Sequence, residues 1–321
     1  MPAFARLPRV VRAAGLTHRP ARAYGPAGMM KSLALIGHRG ARGLFPENTL
    51  EGFVAAAALG LDGIELDVAV TADGVPVVCH DPALNPALVR DADGAWIAAP
   101  GPRIHDLRAA ALAGFDVGRV RPGSAPAAAA PDQVAIDGAR IPRLEAALSL
   151  PGLAFIVELK TLPDHPDWTV SPAAMAEAAL AAADRAGATE RVTFESFDWR
   201  GPRHLRRQHP ELRLAWLTRP ATVAAASLWW DGPRPEDFAG SIPRAVAAEG
   251  GAAWAPEHVD LTAAQIAEAH ALGLAVIAWT VNRPADMARL IGWGIDGIIT
   301  DRPDLARQVM ARRGLALPPA R

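Results

Sequence analysis

Cysteine is almost absent from the 321 residues: Cys79 stands alone, so an intramolecular disulfide is impossible and nothing calls for an oxidising compartment. Its thiol follows an aliphatic run, which favours core packing over nucleophilic chemistry. An excess of one charge is missing too. Thirty-three basic and 34 acidic residues leave a formal net charge of −1. That balance gives no electrostatic reason to expect nucleic acid or an anionic membrane surface as a partner. No apolar run reaches the roughly 18 residues of a membrane-spanning helix, so no stable membrane insertion is expected. Acidic residues are missing from positions 1–30, where Arg6, Arg9, Arg12, Arg19 and Arg22 punctuate apolar stretches too broken for a signal peptide. Residues 1–30 read as an arginine-rich tail or, given Met29-Met30, as sequence ahead of the true start.

What is present fits one large enzyme domain. With 50% apolar and 21% charged residues, the chain can bury a sizeable core. Short apolar runs alternate with helix signals. The runs Leu33–Ile36, Gly63–Val70, Leu153–Val157, Val192–Phe194, Arg213–Leu217, Ala252–Ala255, Ala275–Trp279 and Gly297–Thr300 read as strands. Asn48 with Glu51, Ser171-Pro172, and Thr262 with Gln265 read as helix starts. This alternation predicts a parallel barrel or a doubly wound sheet. Candidate polar groups fall at the carboxyl ends of several strands, and no glycine-rich dinucleotide turn follows the first one. A (β/α)8 TIM barrel is therefore expected. The stretch 82–141 is too long for an ordinary loop and reads as a small insertion near the active-site mouth.

Strand alternation puts Glu65 and Asp67 on one face of Gly63–Val70, with four aliphatics on the other. Two adjacent buried carboxylates repel and lose hydration, and a cation relieves both costs. Glu158, at the end of a fully apolar strand, can complete the ligand set. Oxygen donors without cysteine favour Mg2+ or Ca2+ over Zn2+. The Asp73-Gly74 turn predicts a two-residue hairpin pairing Ala72 with Val75 and Val70 with Val77, which brings His80 opposite Asp67. His38 and Arg39 close the first strand, and Lys160 offers a point charge for a phosphate oxygen.

Taken together, His38-Arg39-Gly40, Pro46–Thr49, Glu65–Val68 with Thr71–Gly74, Val77–Asp81, Glu158–Lys160, Ser196–Asp198, Trp279–Asn282 and Gly297–Pro303 resemble the glycerophosphodiester phosphodiesterase family of the bacterial cytoplasmic type. The resemblance implies a barrel over residues 31–315, a cytoplasmic location, and an insertion that shapes substrate access. It also implies metal-dependent hydrolysis of glycerophosphodiesters to sn-glycerol 3-phosphate and an alcohol.

The chemistry of a phosphodiester matches these residues. Glu65, Asp67 and Glu158 would hold the metal, while Arg39 and Lys160 would bind phosphate. His38 and His80 would serve as general acid and base, with either in either role. Phe197 and Trp279 would line the alcohol pocket. The attacker is water or a substrate hydroxyl, and choline, ethanolamine, glycerol and inositol arms are all admissible. A lysophospholipase D-like phosphodiesterase would share this core but need an apolar acyl-chain groove. A non-catalytic phosphate-binding barrel should have lost a histidine or a carboxylate, and none is lost here.

Overall fold

The computed structural model describes residues 33–320, so the arginine-rich segment 1–30 lies outside the described residues. Among the described residues nine strands form one sheet: β1 (Ala34–His38), β2 (Gly63–Val70), β3 (Pro76–Val78), β4 (Ala154–Leu159), β5 (Val192–Ser196), β6 (Arg213–Thr218), β7 (Ala253–Pro256), β8 (Ala275–Ala278) and β9 (Gly297–Thr300). All but β3 are parallel. They run in the order β1-β2-β4-β5-β6-β7-β8-β9, and β9 pairs back on β1 through Ile36 and Ile299. The sheet thus closes into the expected (β/α)8 TIM barrel, and no edge remains except along β3.

Alternation along each strand divides two apolar layers. Ile36, Ile156, Leu217, Ile277 and Ile299 fill the barrel interior together with alanines of β1, β6, β7 and β8. Ile64, Leu66, Phe155, Val157, Phe194 and Trp216 face outward and are buried under the helices. The helix Pro172–Arg185 shows why its segment folds as it does. Ser171 accepts a hydrogen bond from the Ala174 amide, proline occupies the first turn, and Met175, Ala176, Ala179 and Ala183 form the buried face. Thr262 and Gln265 form the expected capping box for Ala263–Ala271. No helix among the described residues is long and apolar enough to cross a membrane.

Two local expectations are corrected. The β2–β3 hairpin pairs Val70 with Pro76 and Val68 with Val78, one residue away from the two-residue-turn register. Its loop has three residues, because the Thr71 amide donates to the Val75 carbonyl and Gly74 takes φ +75°. Cys79, whose amide donates to the Asp67 carbonyl, therefore occupies the place expected for His80. At the other correction, Thr49 rather than Asn48 caps the helix Leu50–Ala58, its hydroxyl accepting from the Gly52 amide. Asn48 is held at φ +55° and turns its side chain toward β2 instead.

Residues 82–141 carry short helical segments at Ala109–Leu112 and Ala125–Ala129. Leu84, Val89, Ile104 and Leu112 pack with Ala69 and Val77 in a small core of their own. The same segment ties to the loop after β1, with the Val134 amide donating to the Leu44 carbonyl and Gln133 Nε2 to the Arg42 carbonyl.

The turn that ends β1 demands glycine twice. A Cβ on Gly37 would lie 1.6 Å from the Gly40 carbonyl oxygen, and Gly40 itself has φ +93°. Between them Arg39 adopts φ +50°, a conformation costly for a residue with a side chain. We expect Gly37→Ala to destabilise the fold by at least ~1–3 kcal/mol, the usual cost of overpacking. Chemical denaturation measures this, and an unchanged midpoint would show that the turn can open without loss.

Candidate active site

The strands β1 to β5 and β8 bring the expected residues together at one mouth of the barrel. Register explains the convergence: His38 pairs with Glu65 across β1–β2, Asp67 with Glu158 across β2–β4, and Glu158 with Glu195 across β4–β5. In-register neighbours on parallel strands point the same way, here inward. Glu65, Asp67 and Glu158 are all buried, and one carboxylate oxygen from each lies within 4.8 Å of the others.

Cations from adjacent positions compensate much of this charge. Lys160 Nζ lies 2.8 Å from Glu158 Oε2 and 3.1 Å from Asp67 Oδ1. The Arg39 guanidinium donates to Glu47 Oε1 at 2.8 Å and approaches Asp67 Oδ2 to 3.2 Å, while its backbone amide donates to Glu65 Oε2 at 3.0 Å. Asn48 Nδ2 adds a 2.9 Å hydrogen bond to Asp67 Oδ2. Burial alone would raise the Asp67 pKa, but Lys160, Arg39, His80 and Asn48 outweigh it and hold the carboxyl well below its usual range. Glu65 has no such excess of cations. Burial, followed by repulsion from Asp67, Glu158 and Glu195, pushes it well above its ordinary value. Burial also raises Glu158, against the attraction of Lys160.

These features fit a divalent cation. All three groups supply hard oxygen donors, Asp67 Oδ1 is buried with the Lys160 ammonium as its ion partner but accepts no hydrogen bond, and burial with repulsion from its neighbours makes ionised Glu65 costly without a further cation.

The histidines take similar poses. His38 Nδ1 is 2.6 Å from Asp301 Oδ1, and its Nε2 is 3.8 Å from Glu65 Oε2. Burial and then Arg39 lower the His38 pKa against the pull of Asp301, which favours the neutral ring. In that state Nδ1–H donates to Asp301 and leaves the Nε2 lone pair toward the site. Asp301 is fixed in turn by Asn282 Nδ2 at 2.7 Å and Arg42 Nε at 2.9 Å. Burial would raise its pKa, but the His38 hydrogen bond, with Arg42 and Asn282, holds it below the usual range. His80 Nδ1 is 2.6 Å from Asp81 Oδ1, and Asp81 is steadied by Asn85 Nδ2 at 2.8 Å. His80 thus reaches the cavity by leaving the ladder after β3, not by lying opposite Asp67.

Asp81, Asn282 and Asp301 lie within the family-like motifs, but their sequence context alone assigns them no role. Asp81 could have been found from its adjacency to His80. Asp301 lies 263 positions from His38, and only closure of β9 on β1 reveals the pair. Glu195 was missed altogether, although alternation along Val192–Ser196 turns it inward. Burial and the neighbouring Glu158 and Asp67 raise it well above its ordinary value. Phe197 and Trp279, expected at the alcohol pocket, line the same cavity of ≈ 380 Å³ as His38, Arg39, His80 and Lys160. Their rings meet edge-on at 5.3 Å.

Residues 38–305 match the sequence model of the glycerophosphoryl diester phosphodiesterase family. The chain is 28% identical over 286 residues to a glycerophosphodiester phosphodiesterase of Caldanaerobacter subterraneus, spanning 89% of this chain and 100% of that one. It is 37% identical to a crystal structure from Silicibacter pomeroyi assigned as a glycerophosphoryl diester phosphodiesterase, with a TM-score of 0.82 over 90% of this chain and 97% of that one. An Oleispira antarctica phosphodiesterase solved with its product sn-glycerol-3-phosphate shares the fold at 21% identity, with a TM-score of 0.66 over 87% and 97% of the two chains.

The electrostatics of the carboxylates have a measurable consequence. Mg2+ or Ca2+ added to chelator-treated protein should raise its thermal midpoint, by an amount equivalent to ~2.7 kcal/mol at about 100 times the dissociation constant. Glu65→Gln and Glu158→Gln should each shrink that rise. A carboxyl whose folded pKa is raised destabilises the fold once ionised, above its unfolded pKa, so chelated Glu65→Gln should melt above chelated wild type. An equal rise in all three proteins would place the ion elsewhere.

Proposed function

The chain belongs to the glycerophosphoryl diester phosphodiesterase family and is an enzyme of that kind; from this premise we propose how its own residues hydrolyse glycerophosphodiesters to sn-glycerol 3-phosphate and an alcohol. One observation carries the reading: two imidazoles, each anchored through Nδ1 by a carboxylate at 2.6 Å, line a single cavity with Glu65 and Glu158 of a cation-ready carboxylate triad. Glu65, Asp67 and Glu158 would hold one divalent ion, Mg2+ or Ca2+, which when bound supplies positive charge to a non-bridging phosphate oxygen.

Arg39 and Lys160 add charge-assisted hydrogen bonds to the phosphate, and their ion pairs with Asp67, Glu47 and Glu158 fix where those donors point. Proton transfer falls to the histidines. The alkoxide is a poor leaving group and must be protonated as its P–O bond breaks, while the attacking hydroxyl must lose a proton. With Nδ1 of each ring committed to Asp301 or Asp81, Nε2 is the atom that exchanges the proton. The neutral state favoured for His38 suits it to accept one. His80 would then serve as the acid, its ring oriented by Asp81.

Phe197 and Trp279 would pack against the alcohol, and residues 82–141 would shape access, since Asn85 of that segment orients Asp81. A cytoplasmic location belongs to the same reading. The retained histidines and carboxylates support catalysis over mere phosphate binding.

Substitution of His38 or His80 by alanine should lower kcat by roughly 10²–10⁴ with little change in substrate binding, the usual contribution of a general acid or base. A nitrophenyl ester needs little protonation of its leaving group, so it should rescue His80→Ala and not His38→Ala. Reversed rescue would exchange the roles, and near-normal turnover in either variant would end the assignment.

A further inference from the structure

Arg219 follows β6, which stands four strands round the closed barrel from β1. Its side chain therefore lines the cavity on the side facing His38 and Arg39. The guanidinium carbon lies 5.1 Å from the centre of the Phe197 ring. Phe197 is held edge-on by Trp279 at 5.3 Å and by Trp229 at 6.4 Å, so the surface beneath Arg219 is a fixed aromatic wall.

The other arginine and lysine cations of this cavity are committed to carboxylates. Arg39 pairs with Glu47 and Asp67, Lys160 with Glu158 and Asp67, and Arg42 with Asp301. Among the described residues no carboxylate comes within ion-pair distance of Arg219, whose side chain has only the stack on Phe197. A planar cation resting on an aromatic face is oriented by that face while its N–H groups stay free to bind an anion.

A diester whose phosphate sits among Arg39, Lys160 and the histidines has room to extend one arm toward this wall. A carboxylate or phosphate on that arm would meet an oriented, uncommitted guanidinium. A quaternary ammonium would meet a like charge, and would find one face of Phe197 already taken by Arg219. The geometry points to Arg219 as a specificity-determining residue that selects glycerophosphodiesters whose second alcohol bears a negative charge. This inference rests on the phosphodiesterase reading and names its substrate class.

The test compares kcat/KM for three diesters of glycerol 3-phosphate whose second alcohol is glycolate, glycerol or choline. Wild type should rank them in that order, with steps of about five- to tenfold that shrink as salt is added, as expected for an exposed charge. Arg219→Gln should remove the order by lowering glycolate turnover and raising choline turnover, leaving the glycerol diester within about twofold of wild type. Arg219→Glu should reverse the order, and Arg219→Lys should keep it in weakened form. Equal losses on all three substrates in Arg219→Gln, or a wild-type ranking independent of charge, would overturn the selectivity while leaving the hydrolase reading intact. Turnover of none of the three by wild type would overturn both readings.

Discussion

Repulsion among buried carboxylates is the constraint around which this barrel mouth is built. Glu65, Asp67, Glu158 and Glu195 project inward from three neighbouring strands, and parallel register prevents them from turning away. Lys160 meets part of the charge from the residue just beyond β4, and Arg39 meets another part from the turn after β1. Asn48 contributes from the loop before the first helix. Arg39 and Asn48 both reach their places in left-handed backbone conformations, so local strain coincides with the groups that steady Asp67. Burial and repulsion that these partners do not offset push Glu65 and Glu195 well above their ordinary range, and a cation held by Glu65, Asp67 and Glu158 would relieve that cost.

The closed sheet divides labour around its circumference. Ends of β1, β2, β3, β4 and β9 supply charge, hydrogen-bond donors and anchored imidazoles. Ends of β5, β6 and β8 supply Phe197, Arg219 and Trp279, so the far side of the cavity is aromatic and carries a cation that no carboxylate among the described residues holds. A site arranged in this way can bind a phosphate on one side and discriminate among alcohols on the other. Because the contributions come from separate strands, each can change without disturbing the scaffold.

Much of this was legible in the sequence because period-2 alternation is local. It placed Glu65 and Asp67 together, and the apolar run before Glu158 marked a strand end. Alternating helix and strand signals, with polar residues at the ends of several strands, were enough to anticipate the barrel. Less local features escaped. The hairpin register slipped by one because a three-residue loop with Gly74 in the left-handed region replaced the two-residue turn that Asp-Gly suggests. Thr49 displaced Asn48 as the cap because Asn48 is recruited by Asp67, a tertiary contact that outweighs cap preference. The Asp301 anchor of His38 depends on ring closure between the first and last strands, and spacing along the chain carries no trace of it.

The central claim is that the three carboxylates hold a cation beside two anchored histidines. Crystals soaked in Mn2+, an anomalous scatterer that takes similar oxygen ligands, test it most directly. The account predicts one strong anomalous peak with an oxygen of each of Glu65, Asp67 and Glu158 about 2.0–2.6 Å away, within reach of a phosphate bound at His38 and His80. A peak coordinated elsewhere, or none at this triad while Lys160 keeps its contacts to Asp67 and Glu158, would contradict it.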